Sequence, residues 1–202
     1  MRGLFARRGR HARLTPVRAV IALGALVAVL TGCTGAPAFE GTAIDPPRTM
    51  PVFRVPHADG STVSLGAEAG RPLVLFFGYT NCPDICPTTL ADWRRVKDQL
   101  GERARAVRFV FLSVDPERDT PEIAAAYARR FDASFMGVSP GGALIGELMQ
   151  AFGVAAMPGA SAEHLVSHSS QVYLLDAEGR LVALYPTGTP WTALAHDLDA
   201  LL

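Results

Sequence analysis

Apolar and polar positions follow three rhythms along this chain of 202 residues. Residues 19–30, "AVIALGALVAVL", are apolar without a break. Residues 72–77, "PLVLFF", and the centre of 106–115, "AVRFVFLSVD", are shorter apolar runs with no polar alternation. That is the pattern of strands covered on both faces. Elsewhere the period lengthens. Leu90, Trp93, Val96 and Leu100 recur at helical spacing within 88–100. "DTPEIAAAYARRF" predicts a second helix, with Thr120 as N-cap and Pro121 at its first position. Residues 142–154 predict a third helix, and 189–202 close the chain as an amphipathic fourth. "PVFRVPHADGSTVSL" reads as a hairpin turning at its Asp-Gly pair, and 170–186 as two strands joined at "DAEG". "SFMGVS" adds a short strand. Alternating β and α units followed by an antiparallel pair predict one α/β domain, with a mixed central sheet flanked by helices.

Two segments stand outside that domain. Residues 34–50, rich in Gly, Pro, Thr and Ala, read as a tether. Before them come six arginines, the apolar run and "LTGC", which ends at Cys33. A dozen apolar residues suit the core of a signal peptide and fall short of the ~20 a membrane-spanning helix needs. The ending resembles the lipobox of bacterial lipoproteins, which implies that Cys33 is acylated and becomes the mature N-terminus. The expected division is therefore a signal peptide over 1–32, a lipid-attached tether over 33–50 and the domain over 51–202. The expected location is the extracytoplasmic face of a bacterial membrane, held there by two or more acyl chains.

Removing the leader changes the charge. Six of the 19 basic residues and none of the 19 acidic ones precede Cys33, leaving 13 against 19 and a net charge of about −6. With Lys97 the sole lysine, the domain has no electrostatic footprint for nucleic acid.

Chemistry concentrates in "FFGYTNCPDICPTTL", where Cys82 and Cys86 follow a buried strand and enter a helix. A helix N-terminus favours a thiolate. Positions four apart on a helix share a face with Cβ atoms about 5–6 Å apart. That spacing accommodates two soft ligands on one metal and, with rearrangement, a disulfide. A purely structural disulfide would close a loop of a few residues and stabilise little. The pair therefore reads as functional, either redox-active or metal-binding.

Three elements together, "FFGYTNCPDICPTTL", "SVDPERDTPE" and "HLVSHSSQVYLLD", resemble the Sco (SenC-type) proteins across residues 51–202. These are copper-delivery factors for cytochrome c oxidase with a thioredoxin-like fold. The resemblance implies one copper per chain, Cu(I) or Cu(II), held by Cys82, Cys86 and His168. It also implies as partners the CuA-bearing subunit of the oxidase and an upstream copper donor or thiol reductase. Soft thiolates select Cu(I), and an imidazole completes a site able to hold Cu(II). Asp115 is linked by the resemblance to copper handling or docking. His164, where the family usually carries tyrosine, is expected at the mouth of the site. Ser167 stands where the family commonly has an aspartate before the ligand, a change expected to weaken or retune the site. His57 and His196 are expected as solvated side chains.

A competing reading is a thiol–disulfide oxidoreductase that keeps exported cysteines reduced. Such enzymes commonly separate their cysteines by two residues, this chain by three, and the reading gives His168 no role. A peroxiredoxin is excluded because Thr80 lies two residues before Cys82, not three.

Overall fold

The hydrophobic runs become the central strands of a six-stranded sheet. The computed structural model describes residues 38–66, 70–157, 167–168 and 170–202, with backbone alone at 156–157 and 167–168. The strands are β1 (Thr42–Thr49), β4 (Leu73–Gly78), β5 (Arg108–Ser113), β6 (Met136–Val138), β9 (Gln171–Leu175) and β10 (Arg180–Pro186). Strands β2 (Phe53–Pro56) and β3 (Thr62–Leu65) form the separate hairpin expected at the Asp-Gly turn, and β7 (Ala156–Met157) pairs with β8 (Ser167–His168). Four α-helices follow the predicted periodicities: α1 (Ile85–Leu100), α2 (Pro121–Arg129), α3 (Ala143–Phe152) and α4 (Trp191–Leu201). A 3₁₀ helix, Gly101–Ala106, follows α1 directly.

In the sheet order β1-β10-β9-β4-β5-β6, strands β4, β5 and β6 run parallel, β9 runs antiparallel to β4, and β10 antiparallel to β9. The sheet is therefore mixed, and both of its faces are covered. On one face Val74, Phe76, Phe109 and Phe111 meet α1 and α4. On the other, Leu75, Phe77 and Val110 meet the hairpin and α3. Helix-flanked mixed strands with a hairpin ahead of the first parallel unit form the thioredoxin-like arrangement anticipated above. Thr120 caps α2 as read, its Oγ1 accepting from the Ile123 N–H at 3.3 Å, with Pro121 next.

Residues 42–49, expected as tether, instead form the edge strand β1 on β10. Almost all its side chains are exposed and two are prolines, so it lacks hydrophobic alternation. An edge position tolerates proline because one row of its N–H groups is unpaired.

Asp197 on α4 ties this strand down. Its fully buried carboxylate accepts from the backbone N–H groups of Glu40 and Gly41 at 2.8 and 2.9 Å and from the Tyr185 hydroxyl at 2.6 Å. His196, expected in solvent, is half exposed and places Nδ1 2.9 Å from Asp197 Oδ1. Burial raises the Asp197 pKa, but the bonds from His196, Tyr185, Glu40 and Gly41 outweigh it and hold the carboxyl below 3.8. Its stabilisation is thus complete above the unfolded value and lost as pH falls through the lower folded one. Asp197→Ala is expected to cost about 2 kcal/mol at neutral pH, the size of orphaning buried donors. Urea midpoints should show that difference and show it shrinking below about pH 4.

His57, also expected in solvent, is buried with Nδ1 2.8 Å from Asp59 Oδ1. The hairpin folds its ring inward, so the imidazole packs as part of the core edge.

Candidate metal centre

The cysteine loop begins where β4 ends. In β4 alternate residues face alternate sides, so Gly78 shares the α1 face with Val74 and Phe76. In α1 the buried stripe is Cys86, Leu90, Trp93, Val96 and Leu100. Cys86 thus heads the same helical stripe whose later members were legible as apolar. Its sulfur lies directly over Gly78, where an added Cβ would stand 2.9 Å from Sγ and 2.6 Å from the Phe111 ring. Glycine at 78 is what lets the helix bring that sulfur down onto the strand.

Cys82 precedes α1 and is half-buried, whereas Cys86 is fully buried; both are free thiols. Asp84 stands at the N-cap but makes no side-chain cap. Helix starts leave backbone donors without intrahelical partners. Here the Cys86 N–H donates to Cys82 Sγ at 3.4 Å, so a sulfur takes a role usually filled by a capping oxygen.

The two thiols are electrostatically unequal. Burial works against ionising Cys82, but backbone N–H bonds from Asp84 and Cys86, with the Cys86 thiol and the Tyr79 hydroxyl, bring its pKa below the ordinary value. Burial pushes the Cys86 thiol far up, and the Cys82 and Asp119 charges add to it, against one backbone N–H from Tyr79. Tyr79 itself is pushed up to about 12, chiefly by burial and then by the Cys82 charge. The outer sulfur thus gives up its proton more readily than the inner one. Tyr127 faces the same pair: among the described residues its buried hydroxyl has no hydrogen-bond partner, and its pKa is raised by burial and then by the charges of Cys86 and Cys82.

A buried carboxylate holds the loop. Asp119, 2% exposed, accepts from the Thr80 N–H at 2.8 Å, the Thr80 hydroxyl at 2.5 Å and the Ser113 hydroxyl at 2.5 Å. It joins the cysteine loop to the end of β5, beside the Val114 N–H bond to the Gly78 carbonyl at 2.8 Å. Asp115, singled out in the sequence, has its carboxylate engaged by Arg118 Nε at 2.5 Å. Its own carbonyl accepts the Arg118 and Asp119 N–H groups, forming the turn that aims Asp119 inward.

The backbone of His168 pairs with Ala156, and that of Ser167 with Met157. The register Phe76↔Val172 puts the start of β9, three residues beyond His168, at the sheet end where β4 gives way to the cysteine loop. The side chains of His168 and Ser167, like all of His164 and Cys33, lie outside the described residues. Among the described residues no three His, Cys, Asp or Glu side chains are grouped to hold a metal. The cysteines supply two soft donors at the start of α1. A groove of about 180 Å³ runs from the loop along α1 and α4, bordered by Asp84, Ile85, Ser170 and Trp191 over a floor including Phe76 and Trp93.

Tyr79, Thr80, Ser113, Asp119 and Tyr127 were not assigned to the site from the sequence. Only Asp119 carried a signal, as the second aspartate of "DPERDT", and its partners emerge only when β4 and β5 lie side by side.

The SCO1/SenC family profile matches residues 41–202. The apo Sco1 protein of Thermus thermophilus superposes with a TM-score of 0.73 at 37% identity, covering 82% of this chain and 98% of that one. The copper-bound ScoI of Bradyrhizobium japonicum gives a TM-score of 0.67 at 35% identity, covering 76% and 99%. The mitochondrial SCO1 homolog 1 of Arabidopsis thaliana is 32% identical over 152 residues, 74% of this chain and 43% of that protein.

Proposed function

Because this chain belongs to the SCO1/SenC family, we propose that it receives one copper ion and delivers it to the CuA site of cytochrome c oxidase during assembly. Cys82, Cys86 and His168 hold the ion, and acylated Cys33 keeps the domain at the extracytoplasmic membrane face. The pair of free thiols, one half-exposed and the more easily ionised, the other seated against Gly78, carries the reading. It supplies two soft donors four residues apart at the start of α1, suited to Cu(I) over harder cations. The copper bound to the Bradyrhizobium relative supports the cargo.

The residues divide the work. Cys82, half-exposed, is the ligand a partner's thiolate can replace first. Cys86, fully buried, releases its proton on metal binding and is the last to let go. Transfer then proceeds by exchange of one sulfur at a time, without copper passing through water.

The inequality of the two thiols also favours a second reading, thiol–disulfide exchange. The Cys82 thiolate attacks a partner disulfide and forms a mixed disulfide. The Cys86 thiol then loses its proton and displaces the partner's sulfur, leaving Cys82–Cys86 oxidised and the partner reduced.

The test of the first reading is competition on the reduced full chain in detergent, with Cu(I), Cu(II) and Zn(II) offered together. One copper per chain is expected, with zinc excluded at equal concentration. Zinc retention or no copper would overturn it. Anchoring has its own check: Cys33→Ser is expected to block processing or release the protein from membranes, and unchanged partitioning and maturation would refute acylation.

A further inference from the structure

At the end of the sheet opposite the cysteine loop, where β4 and β5 begin and α1 ends, lies a cavity of about 620 Å³. Arg71, Arg94, Lys97, Arg105 and Arg108 all border it. In a domain with an excess of acidic residues this gathering of cations is unusual. Three of the five are neutralised: Lys97 by Asp132 at 2.5 Å, Arg94 by Asp98 at 3.0 Å and Arg105 by Glu102 at 2.8 Å. Among the described residues, Arg71 and Arg108 have no carboxylate within ion-pair distance. Arg71 Nη1 donates to the Arg105 carbonyl at 3.4 Å and Arg108 Nη1 to the Ser64 carbonyl at 2.9 Å. Each bond uses one of five guanidinium N–H donors.

The two charges feel one another. Burial first, and the Arg71 charge second, lower the pKa of half-buried Arg108. Carbonyls at the C-terminus of α1 account for cations nearby such as Lys97, in its last turn. They do not account for this pair, whose bonds run to residues 64 and 105, outside that helix.

We propose that Arg71 and Arg108 form a binding site for a single phosphate-type oxyanion. Guanidinium forks match the spacing of phosphate oxygens and bind them in bidentate fashion. Asp98, Glu102 and Asp132 border the same cavity and disfavour an extended polyanion, so the ligand is compact. It is either free phosphate or the phosphate of a lipid headgroup.

The experiment is calorimetric titration of the full chain in detergent at constant ionic strength. One arm uses inorganic phosphate and the other glycerophosphoglycerol, the soluble headgroup of an anionic phospholipid. Saturable binding of one anion per chain is expected, weakened at least tenfold by Arg71→Gln and by Arg108→Gln. Arg95→Gln, which removes a cation outside the cavity, should leave it unchanged. Phosphate alone binding identifies the free ion as ligand, and both binding identifies the headgroup as a source. Copper stoichiometry and circular dichroism of the variants should match wild type, separating this result from the copper reading. Absence of saturable binding in both arms, or binding that survives both variants, would overturn the proposal.

Discussion

His168→Ala is expected to weaken copper binding by at least a hundredfold and to abolish the Cu(II)–thiolate charge-transfer band. The dithiol should still reduce a model disulfide at nearly the wild-type rate. On the proposed reading metal binding draws on three donors, whereas disulfide exchange draws on the two thiols alone. Losing one ligand of three costs ~3 kcal/mol on this expectation, where a hundredfold corresponds to about 2.7. An ordinary surface substitution changes stability by about half a kcal/mol. Cys82→Ser should abolish both activities. In cells lacking the wild-type protein, with copper limiting, both variants should fail to support oxidase assembly and excess copper should rescue both. Assembly supported by His168→Ala but not by Cys82→Ser would make thiol exchange the function.

The parts of this molecule legible in its sequence are those where side chains near in sequence share one environment. Strands β4 and β5 are buried on both faces, so their apolar runs announce them. The stripe from Leu90 to Leu100 announces α1, and Thr120-Pro121 announces the start of α2. Strand β1 was not legible because an exposed edge places no hydrophobic demand on its residues. Strands β7 and β8, two residues each, carry too few positions for any period to register. The same division runs through the site. Cys82 and Cys86 stand out by type and spacing. The inequality of their thiols depends on Tyr79, on backbone donors and on the depth to which Gly78 admits one sulfur, none of which spacing encodes. Asp115 drew attention by its motif, yet Asp119, one turn later, makes the contact with the cysteine loop.

That contact carries the second large effect. Asp119→Ala is expected to destabilise the domain by about 3 kcal/mol, because several buried donors lose their acceptor together. The orphaned groups are the Thr80 N–H and hydroxyl and the Ser113 hydroxyl, all turned toward a carboxylate 2% exposed. Asp119→Asn preserves the volume but keeps one accepting oxygen in place of two, and its amide donors face other donors. It should therefore recover only part of the loss. Urea midpoints give the energies, and amide exchange locates them: protection should fall at residues 80–86 and at the end of β5 before it falls in α3. A loosened loop no longer holds Cys82 and Cys86 at a set separation, so copper affinity should drop along with stability. Asp115→Ala is the discriminating control, since its carboxylate meets the half-exposed guanidinium of Arg118, which water can reach once the acid is gone, rather than three buried donors, so a smaller cost is expected. If Asp119→Ala costs no more than Asp115→Ala and leaves exchange at residues 80–86 unchanged, the buried carboxylate is not what holds the cysteines in place.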